Sequence, residues 1–323
     1  MTSMSLSSGL KRPDSNAIRA VVPYAVLVLL YLATVIIAPG YLAPAQIGSL
    51  LQLATILGIV AIGQMLVILV GGIDLSVGSV VTLSNLTAAS LIDGKDGNLA
   101  VALVASLAVG ALTGLANGLI ISYLKVPDLV ATLATMTILI GVGYLITNGA
   151  PRGSSSPLLN GVMTGRLFGV LTVGTLLWFA LAAVTILVLR FTTVGRRVYA
   201  VGLNREASRY AAVSANQTVI ALYVLSGLAA AFAGVLLTGY TGSSYLGSGA
   251  SYQLASIAAV VLGGVSIFGG RGGYGGTIAG VVITVLLLSI LQVVGIPQAG
   301  QNIAYGIVIL LMLIAFTSRR SNR

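Results

Sequence analysis

The sequence predicts an all-α integral membrane protein of about ten transmembrane helices, with both termini cytoplasmic and a trace of duplication between two halves. Three observations carry that expectation. Hydrophobic residues fill 57% of the 323 positions and charged residues 7%, where a soluble domain carries about 25% charged residues. The apolar runs are about twenty residues long, as a bilayer-crossing helix requires, not the ten-residue alternating segments of a membrane barrel. Glycine occurs 41 times and aromatic residues make up only 6%. That balance favours helices packed through small faces, because lipid gives helices no hydrophobic reason to associate.

Taken in order, the spans fall at 20–38, 47–70, 75–92, 99–123, 129–148, 169–189, 217–240, 252–268, 274–294 and 300–317. Residues 1–19 precede them as a polar cytoplasmic tail. The first run is too long for a typical signal-peptide core and is expected to remain as a span. The third and ninth spans begin in glycine-rich stretches, where a re-entrant segment fits as well. Residues 20–317 read as one transmembrane domain, with a cytoplasmic segment at 190–216 and a basic tail at 318–323. With the N-terminus inside, thirteen of the 16 Lys and Arg residues fall on the cytoplasmic side, and only Lys95, Arg152 and Arg166 outside. This positive-inside bias fixes the orientation. It also explains the net charge of +10 without a nucleic-acid partner.

A shift of 201 positions lays 51–81 over 252–282 with ten identities in 31 positions. Duplicated halves that meet at a central pathway are common in transporters. The chain has neither Cys nor His, which excludes disulfides, thiolate and imidazole catalysis and the usual zinc and haem sites.

Four stretches carry candidate chemistry. In Gly71–Ser79, GGIDLSVGS, Asp74 is an acid within a near-continuous apolar region. Such a residue is costly in lipid and is expected to be capped or paired. Asp74 or Ser76 either caps the third span or faces a path for a polar solute. Polar residues inside spans, among them Gln64, Asn85, Asn117, Thr132 and Thr135, are expected to bond between helices, and some to line a wet path for a hydroxyl-rich solute. Gly263–Gly273 lacks the Gly-Lys-Ser/Thr of a phosphate loop and reads as a flexible inner turn, with Arg271 at the headgroups. Lastly, Gly195–Gln217 carries Arg196, Arg197, Arg205, Glu206 and Arg209, and cannot lie in hydrocarbon. Asn204 is placed to cap a short helix beginning at Arg205, and the segment reads as a docking surface for a cytoplasmic partner.

Together, GGIDLSVGS at 71–79, Asn117-Gly118 with Pro127 and Ala131-Thr132-Leu133, GRRVYAVGLNREASRYAAVS at 195–214 and IAAVVLGGVSIFGGRG at 257–272 resemble the permease subunit of carbohydrate ABC importers of the ribose, xylose, arabinose and galactose type. The resemblance runs from about Tyr41 to Ile314. It implies a bacterial inner-membrane assembly of this chain, a second permease subunit (a homodimer), a cytoplasmic ATP-binding-cassette subunit that uses ATP and Mg, and a periplasmic sugar-binding protein. This chain itself would bind no cofactor and hydrolyse nothing. Gly195, Arg196, Arg197, Asn204, Arg205, Glu206, Ala207 and Arg209 would then couple to the ATPase, and Asp74, Ser76, Gln64, Asn85, Asn117, Thr132 and Thr135 are the candidates for the path. The chain departs from the family pattern in lacking a glycine near position 213. Nucleoside and branched-chain amino-acid permeases are the alternative substrate classes, and a secondary carrier is a more distant one.

Overall fold

The structure, a computed structural model, describes residues 15–321. Lys11, Arg12 and Arg323 of the charge count, and most of the expected N-terminal tail, lie outside the described residues. The helices are α1 (Ser15–Ile37), α2 (Pro44–Leu69), α3 (Val77–Ile92), α4 (Leu99–Tyr123), α5 (Asp128–Thr147), α6 (Pro157–Thr164), α7 (Val173–Phe191), α8 (Thr193–Leu203), α9 (Arg205–Tyr210), α10 (Ala215–Thr241), α11 (Ala250–Leu262), α12 (Tyr274–Val293) and α13 (Gln298–Ser321). A two-residue hairpin pairs Arg166–Leu167 with Leu171–Thr172. The protein is therefore an all-α membrane protein, and six of the described helices are long and apolar enough to cross a bilayer. Residues 318–321, expected in a tail, continue α13 as helix.

Local chemistry sets the ends of these helices. Pro44 opens α2 and Pro157 opens α6, where the missing N–H has no intrahelical partner to lose. Asp93 and Asn148 close α3 and α5 in the left-handed conformation, which short polar side chains tolerate.

The core is built on α2, which is apolar on every face and buried along nearly its whole length. A helix without a polar face belongs in the middle of a bundle. Beside it, α4 and α10 run antiparallel and approach backbone to backbone. Gly110, Gly114 and Gly118, spaced four apart, meet Gly227, Tyr223 and Ile220, and a Cβ placed on Gly114 would lie 2.2 Å from the Tyr223 carbonyl oxygen. Small residues at this spacing bring helices into close contact in lipid. On the other side of α2, the Tyr274 hydroxyl donates to the Gly58 carbonyl at 2.7 Å and accepts from Trp178 Nε1 at 2.7 Å.

The connections gather at two ends of the bundle. At one end, Ser154 pairs with Ser243, Gly94 N–H donates to Ser154 O, and Gln52 Nε2 donates to Met163 O at 3.1 Å. At the other end, Val70, Lys125, Asp128, Asn204 and Arg205 line one cavity. Under the 201-residue shift, α1 to α4 fall on α10 to α13 in order. In the second half α11 has 13 residues against 26 in α2.

The short helices α3 and α11 have a common cause. After α2 the chain returns into the bundle as the non-helical stretch Gly71–Ser76, and α3 begins beside Gly249, just before α11. From that meeting the two run to opposite ends. Non-helical backbone at membrane depth is tolerated only inside protein or along a cavity, and here Asp74 and Ser76 are 1% exposed.

Candidate functional site

Asp74 is the centre of a buried polar node. Its Oδ1 accepts from Ser76 N–H at 2.9 Å and from Ser76 Oγ at 2.6 Å, and its Oδ2 accepts from Ser226 Oγ at 2.9 Å. Ser226 lies eleven residues into α10, about 17 Å along the helix at 1.5 Å per residue. The carboxyl group thus sits deep in the bundle with three donors, as a buried polar group requires. It does not cap α3: Ser76 occupies the N-cap position and makes no side-chain cap bond. The capping expectation fails because both carboxylate oxygens are already used by the stretch itself and by α10.

The node extends outward. Asn117 Nδ2 on α4 donates to Ser76 Oγ at 3.0 Å, and Thr135 Oγ1 on α5 donates to Asn117 Oδ1 at 2.6 Å. Thr132 bonds its own helix at Asp128 O, 2.8 Å, and also Ile73 O at 3.4 Å. Five of the expected path residues, Asp74, Ser76, Asn117, Thr132 and Thr135, are therefore brought together. Gln64 and Asn85 are not. Asn85 bonds Thr238 on α10 at 2.8 Å, nearer the other end. Gln64 is fully buried, and both its amide atoms lack a partner.

Three participants escaped the sequence reading. Asp128 accepts the Ile73 N–H through Oδ2 at 2.5 Å, and so ties the start of α5 to the stretch Gly71–Ser76. In sequence it reads only as an acid in a first helical turn. Ser226 is one of several hydroxyls in a largely apolar helix, with no signal to distinguish it. Tyr223 places its hydroxyl 2.7 Å from where a Cβ on Gly72 would be.

The segment 190–216 forms two helices rather than one. Thr192 Oγ1 accepts from Gly195 N–H at 3.4 Å to cap α8. Asn204 Oδ1 accepts from Glu206 and Ala207 N–H at 2.9 and 3.0 Å to cap α9, as the sequence predicts. The outward face presents Arg196, Arg197, Asn204, Glu206, Ala207 and Arg209, all exposed.

The inward face is the unexpected part. Gly195 is buried against the Leu189 carbonyl of α7 and so packs rather than projects. Tyr199 donates to Gly272 O at 2.8 Å, and burial raises its phenol above the ordinary value, keeping it a donor. Gly202 lies so close to α2 that a Cβ there would be 1.9 Å from Leu69 O. Arg205 Nη2 donates to Val70 O at 3.3 Å. The expected flexible turn, Gly263–Gly273, is pinned to the same place. Gly270 N–H donates to Leu69 O at 2.8 Å, and Ser266 N–H to Arg271 O at 3.0 Å. Its glycines serve close backbone approach between three segments. A cavity of about 600 Å³ opens beside this junction, lined by Lys125, Asp128, Arg205 and Arg209 among others.

The comparisons with known proteins follow the same stretches. The family described as "Branched-chain amino acid transport system / permease component" matches residues 46–317. The ribose import permease protein RbsC of Escherichia coli strain K12 is 36% identical over 294 residues, covering 90% of this chain and 91% of that one. RbsC of Bacillus subtilis strain 168 is 37% identical, with 90% and 91% covered. The fructose import permease protein FrcC of Rhizobium meliloti is 33% identical, with 90% and 83% covered. No solved structure matches the chain.

Proposed function

The chain belongs to the branched-chain amino acid transport system / permease component family, and on that premise we propose that it is the membrane-spanning permease subunit of an ABC importer that translocates a sugar. It is a multi-pass protein of the bacterial inner membrane. The sugar assignment rests on relatives named for ribose, fructose and L-arabinose, each aligned over 90% of this chain. A node of hydroxyls and amides around one carboxylate that already accepts three hydrogen bonds suits a neutral, hydroxyl-rich solute.

The mechanism follows from one contact, Arg205 to Val70 O. An ATPase docked on the outward face of α8 and α9 moves that segment when it binds and hydrolyses ATP with Mg. The inward face transmits the motion to the end of α2 and to Gly263–Gly273, and Gly71–Ser76 carries it to Asp74 and on to α4, α5 and α10. Such packed junctions switch between discrete arrangements rather than deform smoothly. Ten traversals with both termini cytoplasmic are supported by the sorting of the connections into two ends, since α8 and α9 share an end with the α4–α5 turn and Gly263–Gly273. A second copy of the chain and a periplasmic sugar-binding protein complete the assembly.

The test is reconstitution with the partner ATPase and binding protein. Glu206→Lys, on the outward face, is expected to abolish stimulated ATP hydrolysis and sugar uptake together. Survival of both sinks the docking assignment.

The family description favours a second reading, import of a branched-chain amino acid. Asp74 is the acid nearest the centre of the bundle, and its oxygens are already engaged by Ser76 and Ser226, which leaves it poorly placed for a zwitterion's ammonium group. Leucine uptake in place of sugar uptake by the reconstituted transporter would establish that reading.

A further inference from the structure

We infer that the segment Gly242–Gly249 is a solute-contact edge of the translocation path, recognising sugar hydroxyls through Ser244, Ser248 and Asn85 and a sugar face through Tyr245. The inference rests on the sugar reading above and assigns that reading a place in the chain. After α10 the chain does not pass straight into another span. It turns back into the bundle through Gly242 and Gly247, at φ 76° and 83°, and starts α11 beside the start of α3. Hydrogen bonds to its backbone hold it there: Ser155 N–H to Gly242 O at 2.9 Å, Asn85 Nδ2 to Ser243 O at 3.4 Å, and Gly249 N–H to Thr82 Oγ1 at 2.9 Å.

Its inward side chains are left over. Ser244 Oγ, Ser248 Oγ and Asn85 Oδ1 are buried without a hydrogen-bond partner, three of the seven such atoms among the described residues. Buried polar atoms are nearly always bonded, and each exception needs a physical reason. Three open positions around one re-entrant stretch have a single reason: the bonds are made in another state of the transport cycle. The atoms are of the right kind for a sugar. A serine hydroxyl both donates and accepts and an amide oxygen accepts, so together they match hydroxyl groups and bring no counter-charge for a charged solute.

The outward side chains alternate with them. Ser243 is exposed, and Tyr245 is 51% exposed. A tyrosine offers a flat apolar face with a polar tip, and small-molecule sites pair such surfaces with a few placed polar groups. Rotation at Gly242 and Gly247 would turn Ser244 and Ser248 towards the same solute.

The chain's lack of cysteine makes the test direct. Ser243→Cys, Tyr245→Cys and, as a lipid-facing control on α4, Leu112→Cys are made in the full transporter with its ATPase and binding protein in proteoliposomes. A membrane-impermeant methanethiosulfonate reagent is the probe. Expected is modification at 243 and 245 but not 112, slowed about tenfold when sugar-loaded rather than empty binding protein is supplied with ATP. No modification at 243 and 245, or equal rates with loaded and empty binding protein, overturns the inference. Independently, Ser248→Ala should narrow the preference for the transported sugar over its monodeoxy analogues by about tenfold, the loss of one hydrogen bond; unchanged discrimination overturns the role of Ser248. A wild type that imports leucine and no sugar removes the sugar reading instead, and the labelling pattern then still decides whether the segment meets solute.

Discussion

Arg205 and Val70 are 135 positions apart in the chain, and the guanidinium of one donates to the carbonyl of the other at 3.3 Å. The donor belongs to the capped helix α9, whose far face is exposed. The acceptor ends α2, the most buried helix, and opens the stretch that carries Asp74. One hydrogen bond therefore joins the charged, exposed segment of α8 and α9 to the most buried of the described spans. The approach of Gly202 and Gly270 to Leu69 O holds the same point from two further sides.

The α4–α10 contact depends on glycine. Gly114→Ala places a methyl 2.2 Å from the Tyr223 carbonyl oxygen, and backbone cannot rotate away as a side chain does. Overpacking of this kind costs about 1–3 kcal/mol or more. Thermal unfolding in detergent is expected to show a lowered midpoint and Asn117 variants no greater loss.

Removing the Asp74 carboxylate leaves Ser76 N–H, Ser76 Oγ and Ser226 Oγ without their acceptor. Asp74→Ala is expected to destabilise more than Ser226→Ala, which removes one donor and leaves the others in place. Each buried group left unpaired costs about 1–3 kcal/mol, so the two variants should be ordered in the same unfolding assay. Equal midpoints would mean that water replaces the lost bonds.

Gln64 is the converse case, a fully buried amide with nothing to bond. Gln64→Met keeps the volume and removes the unpaired atoms, and is expected to stabilise by about 1–3 kcal/mol. As a path residue its loss should also lower uptake. Stabilisation with unchanged uptake would make Gln64 a packing residue only.

Ala212 follows α9 at φ 56°, the left-handed position where helices commonly end in glycine. This turn lies beside position 213, near which the sequence departs from the pattern it resembles. Ala212→Gly is expected to relieve about 1 kcal/mol of strain and raise the unfolding temperature without loss of uptake.

Much of the architecture could be read before any coordinates. Apolar runs of bilayer length mark α2, α4, α5 and α10 to within a few residues, because hydrophobicity and length alone define them. Asn204 announced its helix through a local rule, a capping side chain followed by an early acid. What could not be read depends on partners far away in sequence. Asp74 invited a local cap, whereas Ser226, 152 positions later, takes its second oxygen. Gly195 and Gly202 sit in a segment that reads as a surface, yet both are contact glycines, since close backbone approach leaves no mark on a neighbouring residue type. Gly242–Gly249 looks like an ordinary polar loop, and only its return into the bundle gives it meaning.

The coupling ratio of an Arg205→Ala transporter, sugar molecules imported per ATP hydrolysed in proteoliposomes with the ATPase and binding protein, measures the junction at Val70 directly. Loss of a charge-assisted hydrogen bond is worth about 1.5–3 kcal/mol, so the ratio should fall about tenfold or more while ATP hydrolysis continues, with partial recovery in Arg205→Lys. An unchanged ratio would show that motion reaches the membrane helices by some route other than Arg205 and Val70.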